Sequence, residues 1–544
     1  MNHTKNTSVE KLLVVLIFFV AFALRLKMLF SMNLFPGTDG AYYLIQTRSI
    51  LETGRLAGAD TPLVFYIMAA ASWIVRLFSS LSTEQAVLVG VKLITALAPA
   101  LAAIPAYLLV RSVQKENGSI LLPVAAACIV ATLSSGPISL SSDFIKNSLG
   151  MVFFLFMAYY VVRSLKDGKP KNIVMVMVFL GLCGATHIGV FALALLFAAV
   201  TMLGWILFVE GLSKRALKTV GLVVILVTAV FAALSLVGIS KSVSVLNYVK
   251  SALSSLGSMG TMQNRMIRGM GQTEGSASLF MLLLGGLFVA FLIQKDKLEK
   301  WELAIGLGSA LATLFCLYTP SFVTYSSRFL NMAFGPGLIV LAILLRQMEL
   351  KPQALLSGAV LAFVLVGIPT DLQSMNNTAI NENVYEELSI FRNSITDSSH
   401  TLVIAQHGLE YWAGWILHTN CAQTANTVDT TRYSTVLYVQ TSGGNVFGDL
   451  TRGKNNSSQV FGYAPSPTDA LGDNPIPQNM GSLGAPDFSG NAQIPNEPPS
   501  NMQSPGNQGL STNTGTIVYQ GDYVTIYELK GNLTSTTSKN GAGK

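Results

Sequence analysis

The chain has 544 residues, of which 51% are hydrophobic and only 12% charged. Soluble domains carry about a quarter charged residues, so this composition excludes a soluble globular protein and points to a chain lying largely in a bilayer. The net charge of +7 says little by itself in such a chain; where the charges sit says more, and no nucleic-acid partner is expected.

The first apolar stretch, Leu12 to Phe30, carries Arg25 and Lys27 at its far end and lacks a small-residue cleavage site. It reads as a retained first span rather than a signal peptide. The loop after it, PGTDGAYYLIQTR, sets a lone acid, Asp39, between a proline, two glycines and two tyrosines. The following residues are helix formers and stop at Gly54, so Asp39 sits just before a helix. Asp60-Thr-Pro then opens a second apolar segment, Pro62–Phe78.

Further spans are expected at Gln85–Val110, Ile120–Ser135, Phe144–Val162, Ile173–Ala185, Ile188–Val209, Leu217–Gly238, Ser278–Ile293, Leu303–Tyr318, Leu330–Leu345 and Gln353–Pro369. That makes about eleven. The basic loops Arg111–Lys115, Arg163–Lys171, Lys214–Lys218, Lys295–Lys300 and Arg346–Lys351 share one side with Lys5 and Lys11 only if Pro62–Phe78 does not cross. The positive-inside rule therefore makes Pro62–Phe78 an interfacial helix and the N-terminus cytoplasmic. The outer face receives Met32–Glu84, Gly136–Asp143, Ile239–Ala277, Thr319–Arg328 and everything after Pro369.

The expected organisation is a transmembrane domain over 1–369, with outer loops 32–84 and 239–277, and an extracytoplasmic domain over 370–544. In the latter, SSHTLVIAQHG reads as a strand and turn, and GTIVYQGDYVTIYEL as a hairpin turning at Gln-Gly-Asp. Between them, about 442–513 is rich in Gly, Pro, Asn and Ser, and too polar to bury a core. The outer domain is thus small, of α/β or mostly β type. Four cysteines are too few for a disulfide framework; Cys128, Cys183 and Cys316 fall in apolar spans and Cys421 stands alone, so no pair is expected.

Several outer-face residues suit chemistry. A carboxylate at Asp39, fixed at the membrane surface between two helices, is placed to hold a hard cation or act as a base; a solvated loop acid is the plain alternative. Asp143 ends a loop and precedes a span, where an N-cap role is compatible with a functional one. Lys146 lies one turn further in and either snorkels or meets a phosphate. Glu274 lies in a long outer loop carrying Lys241, Lys250, Arg265 and Arg268; basic charge on that side asks for an anionic ligand, with loop solvation as the alternative. Arg328 opens a late span, where arginine can grip phosphate in a bidentate fork. His187, between two spans, reads as a buried, satisfied histidine. Three carboxylates and an arginine from four loops on one face suit a phosphorylated lipid whose head group leaves, with a divalent cation, Mg2+ or Mn2+, as the expected cofactor.

The stretch TDGAYYLIQTRSILETGRLAGADTPLVFY resembles the first outer loop of the GT-C glycosyltransferases, polytopic enzymes that take a sugar from a polyprenyl phosphate or diphosphate carrier. Asp39, Tyr43, Glu52, Gly54, Asp60 and Pro62 match that pattern. In outline the chain is most similar to oligosaccharyltransferase catalytic subunits. The resemblance implies Asp39, Asp143 and Glu274 at the metal and Arg328 with Phe329 at the leaving phosphate. Asp39, orienting or deprotonating the acceptor, and Asp143 are the expected catalytic residues; Arg328, Lys146, Tyr43 and Glu274 are the expected substrate-binding ones. The resemblance also implies a lipid-linked sugar donor, a protein or glycolipid acceptor, and inversion at the anomeric carbon. The Trp-Trp-Asp-Tyr-Gly motif that reads the asparagine sequon in that branch is not present; the closest text is HGLEYWAGW, His407 to Trp415. The second acidic motif has one acid, in Ser-Ser-Asp, where that branch usually has two. The protein O-mannosyltransferase and lipid A aminoarabinose transferase branches therefore stay open. So do a flippase for a lipid-linked glycan and an inactive scaffold.

Overall fold

The structure is a computed structural model that describes residues 3–115, 118–131, 144–210, 285–286, 298–318, 326–359, 362, 378–441 (424, 426 and 427 excepted) and 515–529. Five helices in it are long and apolar enough to cross a membrane: Val9–Phe30, Thr83–Val113, Ile145–Asp167, Ile188–Phe208 and Lys300–Leu317. Four shorter apolar helices accompany them, Leu63–Leu77, Leu121–Ala131, Pro170–Thr186 and Phe334–Arg346. The expected spans Leu217–Gly238 and, but for 285–286, Ser278–Ile293 lie outside the described residues, as does most of Gln353–Pro369.

Each helix obeys local chemistry. Gly54 ends the Gly40–Thr53 helix in the left-handed conformation, φ 76°, with its N–H returned to the Ile50 carbonyl, a bend only glycine makes cheaply. Ser82 and Gln85 form a capping box at the start of Thr83–Leu101. His187 caps Ile188–Trp205, its Nδ1 accepting from the Gly189 N–H at 3.1 Å; it has the partner expected of it but is half-buried rather than buried.

The helix Leu63–Leu77 is divided lengthwise. Val64, Phe65, Met68, Ala69 and Ser72 are buried, while Trp73, Ile74 and Leu77 are exposed. That division is what a helix lying in a membrane interface needs. It crosses the next helix at very close range: a Cβ added to Gly90 would stand 2.6 Å from the Ser72 Cα.

After the last helices the chain builds a five-stranded sheet of order β2-β1-β3-β5-β4, with β1 Thr401–Ile404, β2 Asn420–Ala422, β3 Thr435–Thr441, β4 Gly515–Gln520 and β5 Val524–Leu529. β1 is parallel to β2 and β3; β5 is antiparallel to β3 and to β4. Parallel neighbours need a crossover, and the helix Leu409–Leu417 supplies it between β1 and β2. The sheet therefore makes this part α/β. The strand at Thr401 and the hairpin at Gly515–Leu529 are where the sequence puts them; the Gly/Pro/Asn/Ser-rich stretch lies outside the described residues. Glu387 fixes the hairpin turn by accepting from the backbone N–H groups of Asp522, Tyr523 and Val524 at 2.9, 3.0 and 2.7 Å. All four cysteines are buried and none is in a disulfide.

One continuous apolar core joins the first-loop helices to the sheet. Tyr43, Leu44, Phe65 and Met68 share it with Val87, Trp412, Leu437 and Ile526. Arg48 adds a polar fastening: it donates to the Trp415 carbonyl at 2.9 Å and stacks on the Trp415 ring at 4.6 Å. The first loop and the sheet consequently hold one another in register. Replacing Gly90 with leucine should push the Leu63–Leu77 helix off its seat and cost about 1–3 kcal/mol, read as a lowered melting temperature of the detergent-solubilised protein; an unchanged melting temperature would contradict the close crossing.

Candidate active site

Asp39 occupies the N-cap position of Gly40–Thr53, with φ −88° and ψ 10°, yet its side chain makes no capping hydrogen bond. The carboxylate is turned elsewhere. Arg328, from the helix Ser326–Met332, places Nη2 3.9 Å from Asp39 Oδ2. His407, from the turn after β1, places Nε2 3.6 Å from Asp39 Oδ1. Both distances exceed a hydrogen bond. The Asp39 oxygens thus face two nitrogen groups at electrostatic range and remain open to a ligand. Asp39 and Arg328 side chains are 23% and 20% exposed, and His407 42%, so solvent reaches all three.

Local backbone explains why distant segments meet here. Gly408 has φ 93°, in the left-handed region that favours glycine. A Cβ on it would lie 3.0 Å from Thr38 Cγ2 and 3.5 Å from the Thr38 carbonyl. The turn carrying His407 therefore rests directly on the loop carrying Asp39, and an extra methyl would separate them. Gly37 adds an isolated parallel bridge to Thr378. The Arg328 guanidinium lies over the Phe144 ring at 4.1 Å, a cation–π contact that fixes its direction.

His407 is held from behind. Its Nδ1 is 3.0 Å from Glu410 Oε1, one helical turn on. That hydrogen bond, with the Glu410 and Asp39 charges, raises the histidine above its ordinary pKa against burial and Arg328. Burial raises the Glu410 carboxyl in turn, offset by His407. Tyr411 stands beside them, its ring 5.9 Å from the imidazole and 5.4 Å from Tyr42, and burial pushes its phenol up.

The remaining sequence candidates are placed as follows. Lys146 is engaged: its Nζ pairs with Asp60 Oδ2, which also accepts from the Tyr42 hydroxyl. Asp60 Oδ1 accepts from the Thr61 N–H at 2.7 Å, and the Thr61 hydroxyl donates to the Thr186 carbonyl at 2.7 Å. The ammonium also lies 5.4 Å from the Tyr42 ring and 5.6 Å from that of Phe65. Lys146 thus neutralises a buried acid and ties the first loop to the Ile145–Asp167 helix. Tyr43 is 2% exposed and packs its ring against Tyr42 and Phe65 at 5.6 and 5.7 Å; burial, then the Asp39 charge, raises its phenol. Asp143 and Glu274 lie outside the described residues. Sequence reasoning left out His407 and Glu410. Their signal was a His and Glu three residues apart across a glycine, at the head of a helix.

No family model matches the sequence, and no curated protein matches it. Solved structures do. The crystal structure of the Archaeoglobus fulgidus oligosaccharyltransferase in complex with Zn and sulfate superposes with a TM-score of 0.52 at 15% identity, over 78% of this chain and 67% of that one. This chain has the GT-C fold. The same Archaeoglobus fulgidus enzyme tethered to an acceptor peptide containing the NVT sequon gives a TM-score of 0.48 at 15% identity, over 79% and 69% of the two chains. Its complex with an inhibitory peptide and a dolichol-phosphate gives 0.48 at 15% identity, over 75% and 64%. That fold accounts for the five helices long and apolar enough to cross a membrane, with a first loop folded over them.

Removing one partner of a largely buried ion pair leaves the other charge stranded, at about 3–5 kcal/mol. Lys146→Met should therefore lower the melting temperature of ligand-free protein, and the double variant Asp60→Asn/Lys146→Met should regain part of the loss. A Lys146→Met protein as stable as the parent would contradict the bracing role.

Proposed function

We propose that the chain is a membrane glycosyltransferase that moves a sugar or oligosaccharide from a polyprenyl-(di)phosphate carrier to a protein or glycolipid acceptor at the outer membrane face. The observation that carries this reading is the open Asp39 carboxylate set between Arg328 and His407 on a GT-C fold. An oligosaccharyltransferase with the same fold crystallises with Zn and sulfate, which supports a site for a cation and a phosphate-like anion here. The positive-inside pattern supports a cytoplasmic N-terminus and an extracytoplasmic C-terminal domain.

The mechanism follows from which oxygen faces which group. Asp39 Oδ1 looks toward His407, and this side takes the acceptor, whose proton Asp39 orients or removes. Oδ2 looks toward Arg328, and this side takes the carrier phosphate. Charge builds on that phosphate as the anomeric C–O bond breaks, and the fixed guanidinium meets it where it develops. The acceptor attacks from the face opposite the leaving phosphate, which inverts the anomeric carbon.

Among the described residues no three His, Cys, Asp or Glu side chains group as a metal site. Asp39 nonetheless fits as one ligand, because its oxygens are unspent. Asp143 and Glu274 are the acids proposed to complete the set for Mg2+ or Mn2+, hard cations that prefer oxygen ligands. Such a cation supplies neutralisation of phosphate charge. The proposed domain division is 1–369 in the membrane and 370–544 outside.

With purified protein, a polyprenyl-phosphate sugar and Mg2+ or Mn2+, carrier cleavage should be detected. Asp39→Asn should reduce it at least about a hundredfold while the protein still inserts. Arg328→Ala should lower kcat by about 10²–10³. Full transfer by a correctly inserted Asp39→Asn protein would overturn the assignment.

A further inference from the structure

Phe144 stands at the N-cap position of the helix Ile145–Asp167 and makes no side-chain capping bond. Ser, Thr, Asn and Asp are favoured there, because their oxygen accepts from the first helical N–H groups. A benzyl side chain offers the helix nothing of the kind. Its ring lies instead against the Arg328 guanidinium, with Cζ 4.1 Å from the ring centroid. The backbone that carries the ring is firmly set. The Phe144 carbonyl accepts from the Asn147 and Ser148 N–H groups at 2.9 and 3.1 Å, and Lys146 is paired with Asp60. A second contact runs in step with the first: Asn147 Nδ2, one turn on, is 3.8 Å from the sulfur of Met332, one turn beyond Arg328. The start of one helix thus registers the helix Ser326–Met332 at two points. Phe329 anchors that helix from another side, 6% exposed and with its ring 5.0 Å from that of Phe315.

The kind of contact matters as much as its place. A carboxylate gripping a guanidinium takes up the planar N–H fork, the same fork that grips phosphate. An aromatic ring attracts the cation through its π face and has no acceptor oxygen to set against a phosphate. The ring therefore fixes where the cation stands without competing for what it binds. We propose that Phe144 is a positioning residue for the transfer reaction, holding the Arg328 guanidinium where the departing phosphate develops its charge. This rests on the glycosyltransferase reading and deepens it by naming the side chain that aims the leaving-group arginine. As the acceptor bonds to the anomeric carbon, the C–O bond to the carrier breaks and its electron pair ends on the phosphate. The guanidinium stabilises that charge without reorganising only if it is already in place. Phe144 acts through Arg328, and its contribution vanishes when Arg328 is removed.

The test uses the full chain in lipid nanodiscs with a polyprenyl-phosphate sugar, reading carrier cleavage. Phe144→Leu should lower kcat about tenfold, the worth of a partly desolvated cation–π contact, and leave the donor KM near that of the parent. Phe144→Tyr, which keeps the π face, should recover most of the loss. Pentafluorophenylalanine placed at position 144 keeps the shape of the ring and withdraws the electron density from its face. It should lower kcat at least as far as Phe144→Leu while the melting temperature stays at the parent's, so the test stands even where the leucine variant fails to fold. On an Arg328→Ala background neither replacement should lower kcat further, because the two residues act as one unit. Parent-like kcat with the fluorinated ring would overturn the inference and leave the glycosyltransferase reading standing. So would an undiminished loss on the Arg328→Ala background, which would mean that Phe144 acts independently of the arginine. Absence of carrier cleavage by the unaltered chain would overturn both readings.

Discussion

The structure depends on leaving one carboxylate, Asp39, uncommitted between groups brought from distant segments. Asp39 could have been spent capping its own helix, where an aspartate is favoured, but it makes no such bond. It faces instead a guanidinium and an imidazole, each beyond hydrogen-bond reach. Neither partner closes on the carboxylate. Tighter contacts would have closed the site on itself.

Holding these groups apart requires a stiff frame, and the frame is polar as well as apolar. Asp60, Lys146 and Tyr42 close a buried network beneath the first loop. Arg48 clamps the same loop's helix to the backbone at Trp415. At the opposite end of the bundle Arg346 bonds the Val113 carbonyl at 2.6 Å and pairs with Glu302 at 2.5 Å. Low dielectric makes such networks costly when incomplete and rigid when satisfied. The apolar core that runs from Tyr43 and Phe65 to Trp412 and Ile526 then makes the sheet and the first loop a single body, which sets His407 beside Asp39.

Much of this was legible in sequence. Apolar run length located the long helices, Gly54 announced its helix end, and the hairpin at Gly515–Leu529 showed its turn. Loop charge put Asp39 and Arg328 on one expected face, and the two side chains do stand 3.9 Å apart. What sequence withheld was pairing. Lys146 looked available for phosphate, since nothing in the order of residues says that Asp60, 86 positions earlier, will meet it. Tyr43 looked like a binding residue, although its ring is in the core. His407 and Glu410 were missed because their meaning lies in a left-handed glycine and a contact with Thr38, which are properties of the folded backbone.

The central claim is that Asp39, Arg328 and His407 form one site with a phosphate side and an acceptor side. An experimental structure of the full chain with a bound polyprenyl-phosphate sugar tests it most directly. The account predicts the carrier phosphate against the Arg328 guanidinium, with the anomeric carbon turned toward Asp39 and the His407 side free for the acceptor. A carrier phosphate bound away from Arg328, or on the His407 side of Asp39, would contradict it.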